Sequence, residues 1–154
     1  MSLMDLLAGR KAGDARAASF EVLEQTFVLT VAVKANQPVN STLVAKITTD
    51  PRYEPVTTLR VPKGETWYID DIYVTGTQPV DGILRIIKNE RQAVHITSPI
   101  NSLLVSNPSR PATKPAAPFE EFNTITAEFI NFTSPAADQT VTVYMKVKRF
   151  ILKS

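Results

Sequence analysis

Residues able to do chemistry are few and scattered in this chain. The single histidine, His95, sits between Val94 and Ile96, with no cysteine anywhere and no second imidazole to share a metal. One imidazole alone does not make a metal site, so His95 reads as a sheet or interface residue. Asp70 and Asp71 come next, since carboxylate oxygens suit calcium or magnesium. They fall inside a run of strand-forming residues, where neighbours point to opposite faces. The sequence therefore predicts that the two cannot form one cage by themselves. Glu120 and Glu121 read as an ordinary charged lead-in to a strand. Trp67, Tyr68 and Tyr73 crowd the same run as the aspartates and form a candidate aromatic contact surface, either packing or a platform for sugars or bases.

No G-x-S-x-G elbow, phosphate-cradling glycine loop or H-E-x-x-H helix occurs, and the chain holds only 5 glycines. Nothing selects a carboxylate pair for glycoside hydrolysis. The expectation is a protein that is not an enzyme, with no catalytic residue, no metal and no cofactor. Basic residues gather in two places: Arg10, Lys11 and Arg16 near the start, and Lys146, Lys148, Arg149 and Lys153 near the end. Either group could touch phosphates nonspecifically. With 17 Lys and Arg against 15 Asp and Glu, however, the chain as a whole has no built-in attraction to nucleic acid. Asn40-Ser41-Thr42 and Asn131-Phe132-Thr133 match the N-glycosylation pattern.

The elements that must position these residues are strands. Pro62-Lys63-Gly64-Glu65 is a turn, because proline presets φ and glycine supplies a positive φ. It launches a strand over residues 66–75, apolar on both faces and so expected to be central. Gly76 to Gly82, with its Asp81-Gly82 pair, reads as the connection to a second strand over 83–88. Stretch 61–88 thus looks like a central strand pair.

Period-two alternation predicts further strands over 20–34, 41–49, 56–61, 92–97, 100–106, 122–132 and 139–152. Alternation slips at Lys148-Arg149-Phe150, where a bulge would return Phe150 to the buried face. Residues 107–118 contain four prolines and cannot be a ladder strand; they read as a semi-rigid crossover loop. At 154 residues the chain suits one domain. The fold class expected is all-β, a single eight-stranded jelly-roll sandwich over 20–154 with an immunoglobulin-like sandwich second. Residues 1–19 read as an arm, partly helical or flexible, carrying Leu3, Met4, Leu6 and Leu7 beside Arg10, Lys11 and Arg16.

This layout resembles the small single jelly-roll structural proteins of viruses. The resemblance is carried by the arm, by VPKGETWYIDDIYV followed by DGILRIIKN, and by the late pair NTITAEFINF and TVTVYMKVKRF. It implies a capsid subunit of a tailless icosahedral virus of bacteria or archaea, or else a decoration protein on a phage head. It implies partners too: copies of itself as a trimer or larger lattice, other virion proteins, only nonspecific contact with nucleic acid, and proximity to an internal membrane. The site would be the virion, assembled in the host cytoplasm. A carbohydrate-binding sandwich using Trp67, Tyr68 or Tyr73 is the alternative of a different class.

Overall fold

Alternating apolar side chains build two antiparallel sheets that bury one face each against the other. A computed structural model describes residues 19–111 and 117–153. The assembly-arm residues Leu3, Met4, Leu6, Leu7, Arg10, Lys11 and Arg16 lie outside the described residues. Among those described the chain forms nine strands and no α-helix: β1 Ser19–Val33, β2 Thr42–Val44, β3 Lys46–Thr48, β4 Leu59–Arg60, β5 Glu65–Tyr73, β6 Gly82–Lys88, β7 Gln92–Ile96, β8 Thr124–Asn131 and β9 Gln139–Lys153. The first sheet runs β3-β1-β9-β5; the second runs β2-β8-β6-β7, with β4 also pairing β8. The all-β sandwich expected from the sequence is what the chain forms.

Strand β1 pairs with β9 along its whole length, from Ser19 opposite Lys153 to Val33 opposite Gln139, without a register shift. Inward residues Phe27, Leu29, Val31 and Val33 meet Val141, Val143, Met145 and Val147, all nearly inaccessible to solvent. From the second sheet, Leu84, Ile86, Ile125 and Phe129 close the core.

Several expectations need correction. The strand foreseen over 41–49 divides at Ala45: β2 joins the second sheet, β3 the first. Ala45 is fully buried and donates its N–H to Ala127 O at 2.9 Å, so the chain crosses between layers where a small side chain lets it turn. Residues expected as a strand over 100–106 instead begin with a 3-10 helix, Ile100–Leu103. Ile100 and Leu103 are buried beneath it, an apolar spacing of three that a period-two reading mistakes for a strand.

The stretch 61–88 is not a paired hairpin. β5 belongs to one sheet and β6 to the other, so residues 74–81 cross the sandwich. β5 is the last strand of its sheet rather than a central one; both its faces looked apolar because Trp67, Ile69 and Ile72 fill the core while Tyr68 and Tyr73 pack on Phe150 and Tyr144 outside. Nor does the bulge lie at 148–150. β9 keeps its register there, and the irregularity falls in β5 between Ile69 and Asp71. Phe150 therefore stays on the outer face.

Two glycines are used differently. Gly64 takes a φ of 78° in the turn before β5, as expected. Gly82 serves close approach: a Cβ there would lie 2.2 Å from Ile130 O and 2.6 Å from the Phe129 ring. A Cβ on Gly76 would meet nothing within 4 Å. Gly82→Ala is expected to cost about 1–3 kcal/mol through overpacking, and Gly76→Ala to be near neutral. Urea denaturation of the two variants side by side checks this.

Candidate functional site

The bulge in β5 decides which side chains share a face. Ile69 pairs with inward Val147, and Ile72 with inward Met145, so the two residues between them both go outward. Asp70 and Asp71 are thus on the same face, contrary to the simple alternation, because Asp70 is the extra residue of the bulge. The same insertion brings Tyr68 and Tyr73, five positions apart, onto one surface.

On that surface Tyr68 meets Phe150 edge-on, with ring centres 5.4 Å apart, and Tyr73 stacks on Tyr144 at 5.5 Å. Tyr68, Phe150, Asp70 and Lys148 line a shallow groove of about 250 Å³. Charges flank it. Lys146 lies 3.5 Å from Glu24 and 3.9 Å from Asp70, and Lys148 is 4.0 Å from Glu24. Asp71 accepts from Arg110 Nη1 at 3.0 and 2.9 Å, which ties the start of the proline-rich crossover to β5. The more exposed of these pairs, Lys146 and Lys148 with Glu24, add little stability. Together these groups make a patterned aromatic and ionic surface.

Trp67 is absent from it. Its side chain faces inward and is 4 % exposed, stacked against Phe27 with ring centres 5.5 Å apart. The aromatic contact surface expected of Trp67, Tyr68 and Tyr73 is therefore split across two faces, with only the tyrosines outside. Trp67 Nε1 donates to Glu65 Oε1 at 3.0 Å. Glu65, itself buried, accepts from Arg149 Nε at 2.8 Å and Nη2 at 3.0 Å, while Arg149 Nη1 donates to Gln25 Oε1 at 2.8 Å. The Arg149 guanidinium also covers the Trp67 ring at 5.2 Å.

Sequence reasoning missed this network. The signal was there: Arg149 continues the inward series 141, 143, 145, 147, and Glu65 precedes Trp67 by two, so both point into the sandwich. Taking Arg149 as a surface cation required the bulge that does not exist. Arg149 caps one end of the core, and its role in binding phosphate is correspondingly reduced.

His95 sits half-buried in β7 opposite Ile86. Burial holds its pKa below the ordinary value of 6.5, and its Nε2 has no hydrogen-bond partner among the described residues. Among those residues no group of three or more His, Asp or Glu converges as a metal site. Glu121 accepts from the Gly64 N–H at 2.9 Å, fastening the turn before β5. Asn131 of the second glycosylation tripeptide is fully buried. It accepts from Ser41 N at 2.9 Å and donates to Pro38 O and Thr133 O at 3.0 Å, an anchoring role rather than a glycan acceptor.

No protein-family model matches the chain, and no curated protein matches its sequence.

Two outcomes follow from the geometry. Arg149→Leu leaves a buried carboxylate unpaired and is expected to cost about 3 kcal/mol, whereas the Glu65→Leu, Arg149→Leu double variant recovers most of that loss; a double-mutant cycle in urea measures both. For His95, a depressed folded-state pKa means that the unfolded chain binds the proton more readily. Its contribution is complete above about pH 6.5 and falls as the pH drops through the folded-state value. The melting temperature of His95→Gln is expected to decline less between about pH 7 and pH 5 than that of the parent.

Proposed function

We propose that this chain is a structural subunit of a viral shell, built as a single jelly roll. The observation that carries the reading is the nesting of its strand pairs. The first strand, β1, pairs with the last, β9; β2 and β4 pair with β8; β6 pairs with β7 at the centre. Such nesting is what results when one long hairpin is rolled into two sheets, the wind of jelly rolls found in capsid proteins and lectins. The third tier is the departure. In place of an antiparallel strand partner beyond the end of β5, the residue after the 3-10 helix, Leu104, makes one parallel bridge to Val74.

Fold alone does not fix function; the distribution of polar groups supports the structural reading. The best-satisfied buried charges, Arg149 and Glu65, are spent on each other and on Trp67, which favours rigidity over turnover. The outer surface carries rows of paired charges and aromatics suited to repeated contacts. In this reading the sandwich is the tile, and residues 1–18 tie it to a neighbour or to the inner face of the shell. A decoration protein set on a completed head uses the same tile without that tie.

A carbohydrate-binding module is the second reading, favoured by the groove of Tyr68 and Phe150 between Asp70 and Lys148. Aromatic faces with polar groups at the rim suit sugar rings.

Among the described residues the core lies within 27–147. The protein lacking residues 1–18 is expected to keep the melting temperature of the full chain to within a few degrees while forming particles poorly, as seen by electron microscopy and light scattering. Unimpaired particle formation would defeat the role of the arm. A protein that stays monomeric throughout, and binds a glycan through Tyr68, would select the second reading.

A further inference from the structure

The four edges of the two sheets are treated unequally. Beside β3, Val56 exchanges both backbone hydrogen bonds with Ile47, at 2.6 and 2.9 Å. Beside β5, Phe119 exchanges both with Trp67 at 2.8 Å, and Val105 donates to Val74 O at 2.9 Å. The edge formed by β2 and β4 is broken into strands of 3 and 2 residues. Covering an edge and shortening it are two ways in which proteins prevent unwanted strand pairing. β7 has neither protection. It is 5 residues long and pairs only with β6, and among the described residues no segment lies along its other side.

β7 has one irregularity, a register shift against β6 that leaves Val94 with no opposite residue in the ladder, but its sequence lacks the other safeguards. Gln92-Ala93-Val94-His95-Ile96 contains no Lys, Arg, Asp, Glu or Pro. Every other strand of more than 3 residues carries at least one fixed charge. Ile96 is 55 % exposed at the rim. Thr97 donates its N–H to Leu84 O at 2.9 Å, so alternation of the backbone turns the N–H and C=O of Ile96 toward the open side.

We propose that β7 is the edge at which one copy of this chain pairs with a second, antiparallel, across a two-fold axis, joining their second sheets into one. The chemistry that fits an open edge is another extended backbone. A second copy of β7 fits because residues 92–96 carry no charge to repel their own image, and directly opposed like charges are what disfavour such pairs. A two-fold contact also uses up both edges and stops there, whereas a head-to-tail pairing would leave one open and propagate.

Contact length sets the strength. Five residues at about 3.4 Å each give a seam no longer than about 17 Å, too short a contact to hold a stable dimer by itself. The pair is therefore weak alone and is strengthened where many copies are held together. Its place in a shell rests on the proposed function; the pairing itself does not.

The test uses the full chain, followed by sedimentation and amide exchange from about 1 μM to about 1 mM. The expected result is a mass that rises toward the dimer and exchange at Ile96 at least about tenfold slower in the concentrated sample. Ile96→Pro removes the N–H that faces the open side while keeping the ladder to β6, and is expected to abolish both effects. Should that variant fail to fold, Ile96→Lys keeps the N–H, sets an ammonium on each side of the seam and is expected to weaken association at least about tenfold.

Association of a folded variant at the parental level overturns the proposal, as does a parent that stays monomeric to the highest concentration. Slowed exchange that vanishes when residues 1–18 are deleted assigns the edge to that segment and overturns pairing between copies. Particles that take up Ile96→Pro normally overturn the β7 seam and leave the shell reading standing. Dimers through β7 from a chain that never forms particles do the reverse.

Discussion

The ladder between β1 and β9 is the constraint on which the rest of the molecule depends. It joins the first and last strands over the full length of each without a slip, so a one-residue error would turn every core side chain of one of them to solvent. β9 then serves as template for β5 on its other side. The bulge at Asp70 follows from that arrangement: β9 holds its register, and the extra residue of β5 has to leave the plane. With most pairings joining residues distant in sequence, loop closure must precede reward, and folding by such a route is slow.

Much of this was legible in the sequence, and for identifiable reasons. Strong alternation in residues 122–132 and 139–152 placed β8 and β9 closely, because a half-buried strand writes its environment into every second residue. Pro62 and Gly64 marked the turn before β5 through their own backbone preferences. What failed to show were properties held by partners. Nothing local distinguishes a hairpin loop from a crossing between sheets, so Gly76 to Gly82 looked like the former. Asp70 and Asp71 look identical on paper, and only the fixed register of β9 decides that one is the bulge. Ala45 marks a change of layer by being small, which is a weak signal in any strand.

The candidate site repeats that lesson. Tyr68 and Tyr73 were picked out by type, and the structure places them together on the outer face, but Trp67 went to the core. A tryptophan beside a tyrosine in a strand must face the other way; the assignment turned on which of the two was outward. Arg149 was hidden for a related reason. A charged residue in an inward series reads as an error of alternation until its partner is known, and Glu65 lies 84 residues away in the chain.

The pairing of Ser19 with Lys153 sets the two ends of the sandwich side by side. Residues 19 and 153 therefore share one corner of the body. Domains whose termini lie close together accept permutation, so a short linker from residue 153 to residue 19 would close the body into a ring and free new ends elsewhere. Cargo joined directly at residue 19 or at residue 153 would likewise be delivered to that corner, which makes the two positions interchangeable as attachment points and leaves the opposite end of the sandwich clear.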